Sequence, residues 1–544
     1  MKNSLFKKPE LYITILIAIY AVFILFRIVS AAAQTADYPN EYREAANIAM
    51  TQSILNGENI YSEESLGVSV PTVCYLYGPL MSLVAALMAK LLPMLSIPVI
   101  HYIISVLSII FSAIIMMQAV KLYTRTSIAP ALAFVFTIFC HWRYGYAYGA
   151  PDSFGLCLMI TVLYLLISSV RYEEKNRNEK RRDYYVEAAA FLTLCTFFTK
   201  QYFLMVAAVG AIYLLIMSRR LFVRYAVSGI AFSTVVFWII GTKCPLYFTY
   251  AIYFLKGPGP GAAMGKNGKA YNSMQVSYLG GMLFMLFLAV LLLVIYLGVK
   301  CFRSLKKKEK IIIPDMAFLA LFFVQAAVSA VVLKYIGNND GAFLSYYLQL
   351  FTPALVALSV YAVDHLCVFT EGSAKKRAVF IAVYVLFIGY TVYKVEPRLV
   401  INMLTDEEMS QWREAYETLD EYEGKGDIYY CPLLNYYGYE KGDYIYNDGQ
   451  PFVFTEKFLN SFRESSTAQK LFPKAGGIIK LHLDFRESMR QRVINGEYAL
   501  VTRLDGMDPV FTTEELEISY KKLKTLELRA GSWAWDVELW VPKG

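Results

Sequence analysis

Residues 11–33 read LYITILIAIYAVFILFRIVSAAA, twenty-three positions with Arg27 as the only charge, preceded by Lys2, Lys7 and Lys8. A helix needs about 20 mostly apolar residues to cross a bilayer core. This segment is longer than a signal-peptide core and has no convincing cleavage site, so it reads as a retained spanning helix. Similar apolar runs recur near 76–95, 98–120, 128–141, 153–170, 186–199, 202–217, 225–242, 278–299, 313–333, 344–365 and 378–393. The whole chain is 57% hydrophobic, too apolar for a soluble enzyme of 544 residues. The fold class expected is an all-α polytopic membrane protein.

Charge sets the expected topology. Residues 1–394 carry 34 Lys and Arg against 18 Asp and Glu, whereas residues 395–544 carry 18 against 26. The basic part is a membrane module and the acidic part a separate soluble domain, with no signature of nucleic-acid binding. Twelve spans with the N-terminus inside would place the six basic residues of 171–184 outside, and likewise those of 300–312. Skipping 76–95 reverses the parity and leaves about eleven spans. The segments assigned to the cytoplasm (1–10, 121–125, 171–184, 219–224, 300–312 and 366–377) then hold 23 Lys and Arg, against nine in the outer segments before residue 344. Segment 76–95 is expected to lie in the outer interface. Helices 186–199 and 202–217 should form a hairpin turning at Lys200-Gln201.

Cysteines add little. Most of the eight lie in apolar segments, and Cys74, Cys244 and Cys431, on the outer side, are not expected to pair. The four histidines form no close metal-binding pattern. No cofactor can be named, a divalent cation being the open alternative.

The first outer loop, 34–97, opens with Asp37-Tyr-Pro-Asn and should then enter a helix. Ala45, Ile48, Ala49 and Leu55 fall near one face, and Gly57 stops it. Segment 243–275, containing Gly-Pro-Gly-Pro-Gly at 257–261, reads either as a mobile lid or as a plain connector. In the tail, 405–422 should be helical. Tyr498–Thr502 and the alternating Trp533, Trp535, Val537, Leu539 and Val541 should be strands, giving a small α/β domain with nothing catalytic in it.

Several outer motifs occur in a telling order. Asp37-Tyr-Pro-Asn-Glu41-Tyr-Arg-Glu44 follows the first span, and Asn56-Gly-Glu-Asn-Ile-Tyr61 continues the loop. Tyr77-Gly-Pro-Leu80, Ala150-Pro-Asp152, Thr199-Lys-Gln201 and Tyr346-Tyr-Leu-Gln-Leu350 come after them. Over residues 1 to about 395 the chain resembles the GT-C glycosyltransferases, which include protein O-mannosyltransferases, the aminoarabinose transferase of lipid A and bacterial cell-envelope relatives. Tyr38 follows Asp37 where the mannosyltransferases typically carry Glu, and Glu41 or Glu44 could substitute.

The resemblance implies an inverting hexosyl- or pentosyltransferase of the plasma membrane, moving sugar from a polyprenyl phosphate to a cell-envelope glycan, lipid or protein outside the cytoplasm. A phosphodiester leaves without protonation, but the acceptor hydroxyl needs a base, and one carboxylate can supply it. Asp37 is the favoured base, with Glu41 and Asp152 as the other candidates. Lys200 and Arg143 are candidates for holding the donor phosphate, and Glu44, Tyr77 and Tyr346 for contacting sugar or acceptor. Plainer roles stay open: Asp37 or Asp152 as a helix cap, Lys200 as a snorkelling anchor, and Arg143 within an aromatic belt. Two other functions also remain open: a transporter or flippase of a lipid-linked glycan, and a non-catalytic scaffold.

Overall fold

The computed structural model describes residues 9–34, 38, 42–63, 76–144, 151–175, 179–254, 282–306, 315–340, 348–369, 404–446, 455–504, 510–530 and 533–543. Asp37, Glu41, Tyr346, the Gly-Pro segment 257–261 and the apolar run 378–393 lie outside the described residues.

Within the described residues the expected apolar runs form helices. In chain order these are α1 (Pro9–Gln34), the loop helix α2 (Tyr42–Leu55), α3 (Leu80–Leu91), α4 (Ile97–Lys121), α5 (Ile128–Tyr144), α6 (Asp152–Glu174), α7 (Glu179–Phe197), α8 (Met205–Met217), α9 (Arg219–Lys243), α10 (Met282–Lys306), α11 (Met316–Asp340) and α12 (Thr352–Phe369). Among the described residues, α4, α6 and α9 are long and apolar enough to cross a membrane by length and composition. The apolar core of this module runs through Ile24 and Ile28 of α1, Phe136 of α5, Leu163 of α6, Phe322 of α11 and Tyr361 of α12.

α3 is twelve residues long. At 1.5 Å per residue it rises about 18 Å, well short of a hydrocarbon core of about 30 Å. Leu83, Leu87 and Leu91 are exposed at four-residue spacing while Met81 and Ala85 are buried, as suits a helix lying against lipid. α7 starts seven residues before the apolar run that announces it. Arg224 of α9 binds Asp183 at 2.6 Å and Glu187 at 2.6 Å, so ion pairs rather than apolar burial hold its first turns.

α2 has the expected limits. Ala45, Ile48 and Ala49 are buried, and Gly57 closes the helix at φ 79°, where a side chain would be strained.

The C-terminal elements are α13 (Asp406–Tyr422), β1 (Ile428–Tyr429), α14 (Asn435–Lys441), α15 (Glu456–Glu464), α16 (Ser466–Leu471), α17 (Ala475–Ile494), β2 (Leu500–Leu504), α18 (Thr513–Ser519), β3 (Tyr520–Ala530) and β4 (Trp533–Pro542). A capping box starts α13: the Thr405 hydroxyl accepts from the Glu408 amide, and the Glu408 carboxylate from the Thr405 amide. The sheet order is β1-β2-β4-β3, with β1 parallel to β2 and the other pairs antiparallel. Leu539 faces Thr502 on one side and Lys524 on the other. β4 is not the half-buried strand that its alternation predicts. Val537 and Leu539 pack with Trp412 of α13, and Trp540 packs on the opposite face with Phe485 and Met489 of α17. Helices on both faces bury it twice.

These elements reach back to the membrane module. Tyr436 packs on Ala45 and Ile48 of α2, and Tyr38 lies 5.8 Å from Trp412 and 6.0 Å from Tyr416, ring to ring.

Candidate active site

Where α7 ends, Lys200 takes an extended backbone (φ −157°, ψ 126°) before a short 3-10 turn, Gln201–Leu204, leads into α8. That corner points its side chain inward. Lys200 Nζ donates to both carboxylate oxygens of Asp152, at 2.9 and 3.0 Å. The two residues are 4% and 1% exposed. Lys200 is therefore one half of a buried ion pair, not a lysine snorkelling to water. Asp152 is the first residue of α6, with Pro151 in the cap position, where the helix dipole also favours a carboxylate.

Two residues outside the sequence-level candidates complete the cluster. The Tyr202 hydroxyl donates to Asp152, and Gln349 Nε2 donates to Asp152 at 3.1 Å and to the Tyr202 oxygen at 2.8 Å. Gln349 lies inside the Tyr346–Leu350 motif and Tyr202 directly follows Thr199-Lys-Gln201, so the motifs marked the right places. The chemistry of Tyr and Gln is too common to single out without the contacts.

Tyr77 joins from the segment preceding α3. Lys200 Nζ sits 4.4 Å from its ring centroid, close enough for a cation–π contact. The ring is held by its backbone neighbours. Tyr61 donates to the Tyr77 carbonyl at 3.1 Å, Gln201 to the Leu76 carbonyl at 2.7 Å, and the Leu80 amide to the Phe198 carbonyl at 2.9 Å. Gly78 makes this approach feasible, since a Cβ there would fall 2.0 Å from the Phe198 carbonyl oxygen. Gly78→Ala must push backbone away from backbone. It is expected to lower stability by about 1–3 kcal/mol, measured by thermal unfolding, and an unchanged melting temperature would contradict this packing.

Glu44 is fully buried and accepts from the Tyr102 hydroxyl of α4 at 3.0 Å. That contact ties α2 to α4 and leaves Glu44 turned away from solvent. Arg143 lies in α5, its side chain outside the described residues. The Tyr38 contacts with α13 bring the immediate neighbour of Asp37 against the C-terminal elements.

Among the described residues no group of three or more His, Cys, Asp or Glu side chains could hold a metal. The Lys200 ammonium on both Asp152 oxygens opposes a cation at that carboxylate in this arrangement.

The overall fold matches solved structures. The apo oligosaccharyltransferase of Archaeoglobus fulgidus superimposes with a TM-score of 0.51 at 10% identity, covering 92% of this chain and 70% of that one. This is the GT-C fold. Two other solved chains with the GT-C fold align less well. The A. fulgidus oligosaccharyltransferase AglB, in complex with an inhibitory peptide and a dolichol-phosphate, gives a TM-score of 0.47 at 12% identity over 88% and 69% of the chains. ArnT from Cupriavidus metallidurans, bound to undecaprenyl phosphate, gives 0.41 at 11% identity over 96% and 97%. No protein-family model and no curated protein sequence matches the chain. Within the GT-C fold, the cluster of Asp152, Lys200, Tyr202, Gln349 and Tyr77 draws on four separated parts of the chain.

Proposed function

We propose that this protein is a membrane glycosyltransferase that moves a sugar from a polyprenyl phosphate to an acceptor hydroxyl outside the cytoplasm. The observation that carries this reading is the buried Asp152–Lys200 pair, held by Tyr202 and Gln349, in a chain with the GT-C fold. A buried ion pair is a poor source of stability, because desolvation offsets most of its attraction. Its retention suits a site that must present a positioned cation.

In the proposed reaction the acceptor oxygen attacks C1 of the donor sugar from the face opposite the phosphate. The C1–O bond to phosphate breaks, polyprenyl phosphate leaves with the bonding electrons, and the acceptor proton passes to the base. Asp37 is the base, with Glu41 the alternative on the same segment. Lys200, kept extended toward the site by Asp152, offers its ammonium to the phosphate, for which substrate and Asp152 compete.

The decisive assay incubates purified protein with a panel of polyprenyl-phosphate sugars and detects released lipid phosphate by mass. Turnover of at least one donor is expected; release from none of them would end the proposal.

The orientation belongs to the same reading: N-terminus in the cytoplasm, outer loops and C-terminal domain outside. In a background without native cysteines, Glu174→Cys in intact cells should resist an impermeant thiol reagent, and Lys425→Cys should react. The reverse pattern would place the proposed site on the wrong side of the membrane.

A further inference from the structure

A second site lies in the C-terminal elements. A cavity of about 440 Å³ opens between Tyr444 and Tyr446 on one side and Asp484, Phe485, Ser488 and Met489 of α17 on the other. That volume lies in the range of small-ligand sites. Phe485 and Met489 are buried and form its floor, while Tyr444 is 42% exposed at the rim. The Tyr444 and Tyr446 rings meet edge to face, 4.7 Å apart. Tyr446 is anchored from behind: its hydroxyl bonds Asp427, and the Arg492 guanidinium lies 4.7 Å from its ring centroid. Asp484 pairs with Lys480 at 2.5 Å.

The lining has a definite chemistry. Aromatic faces carry a negative quadrupole that attracts the slightly positive C–H groups of a pyranose ring. The Asp484 carboxylate, the Ser488 hydroxyl and the Tyr444 hydroxyl supply acceptors and donors for ring hydroxyls around that floor. An anionic ligand is disfavoured by the Asp484 carboxylate in the lining and by the eight more acidic than basic side chains that residues 395–544 carry. A neutral polyol with one apolar face fits both halves of the lining.

The position matters too. α17 begins in the cluster that seats the candidate active site: Ala475, Ile478 and Ile479 pack in one core with Leu76, Phe197 and Phe198. From Ile479 to Phe485 the helix rises about 9 Å. One rigid helix thus joins the support of Lys200 and Tyr77 to the cavity.

We infer that this cavity is a carbohydrate subsite, which holds a neutral glycan portion of the acceptor. The assignment to the acceptor rests on the glycosyl-transfer reading above; the binding of a saccharide does not.

The test uses the full chain in lipid nanodiscs, which avoids sugar-headed detergents. Saturation-transfer NMR is recorded with chitotriose, mannotriose and maltotriose as probes. At least one should bind, and Tyr444→Ala should weaken it several-fold. Ser488→Trp, at an exposed helix position, should fill the cavity and abolish the signal without altering the melting temperature. No binding by the wild type would overturn the inference, as would equal binding by wild type and Ser488→Trp. Binding of an apolar tripeptide in place of every saccharide would also overturn it, making the cavity a peptide site. Release of lipid phosphate is measured on the same samples. Saccharide binding without donor turnover would keep the subsite and remove its role as acceptor site; turnover without saccharide binding would overturn the subsite and leave the glycosyl-transfer reading standing.

Discussion

Asp37→Asn is expected to leave a folded, membrane-inserted protein whose turnover falls by at least about a hundredfold, the usual scale for removing a general base. Asn keeps the size of Asp, and Asp37 stands five residues before Tyr42, the first residue of α2, too far along the chain to be its cap. The neighbouring Tyr38 contacts with Trp412 and Tyr416 do not involve the substituted side chain. What Asn cannot do is take the acceptor proton. Asp37→Glu should recover part of the rate if the longer arm still reaches the hydroxyl. Glu41→Gln, run in parallel, asks whether the base is the carboxylate four positions further along the chain. Normal turnover by Asp37→Asn beside a dead Glu41→Gln would move the base to Glu41, and normal turnover by both would remove the carboxylate mechanism from this loop.

The second large effect is on stability. Asp152→Asn leaves the Lys200 ammonium buried without its countercharge, and breaking one side of a buried pair costs about 3–5 kcal/mol. Lys200→Gln should cost less, because the remaining carboxylate keeps the Tyr202 hydroxyl and Gln349 amide as donors. The double variant Asp152→Asn/Lys200→Gln should be more stable than Asp152→Asn alone. Thermal unfolding of the four proteins measures this, and strictly additive losses would show that the two groups do not interact. The cycle also affects how activity is read. An inactive Asp152→Asn does not identify Asp152 as the base, since losing the countercharge disturbs Lys200 as well. Donor binding separates the roles: Lys200→Gln, folded by the thermal criterion, should bind polyprenyl-phosphate sugar more weakly by about 1.5–3 kcal/mol. Unchanged affinity would leave Lys200 as a structural partner of Asp152.

Much of the architecture was legible in the chain because its signals are local. A run of about twenty apolar residues has few options other than a helix in lipid, and α1, α4 and α6 follow such runs to within a few residues. The loop helix α2 was equally readable, from apolar spacing at one end and a left-handed Gly57 at the other. So was α13, whose Thr405–Glu408 capping box is written within four residues. Where charge replaced apolar periodicity the reading failed. The first turns of α7 depend on Arg224 from another helix, and β3, with Lys521, Lys522, Lys524, Glu527 and Arg529 along it, looks like a solvated segment. It becomes a strand because β4 supplies its ladder and Leu526, Leu528 and Ala530 find the core.

At the candidate site the division is sharper. Asp152 and Lys200 could be nominated one by one, since an acid or lysine at the end of a span is conspicuous by itself, and Tyr77 by its place in the Tyr77-Gly-Pro-Leu80 motif. That Asp152 and Lys200 are partners, and that Tyr202 and Gln349 complete the cluster, is a fact of packing between α6, the corner after α7 and the turn before α12. Hydrogen-bond partners 48 and 197 residues apart leave no trace in local spacing. A carboxylate on a helix start reads the same whether it caps, catalyses or neutralises a lysine, and only the neighbours brought by the fold distinguish these roles.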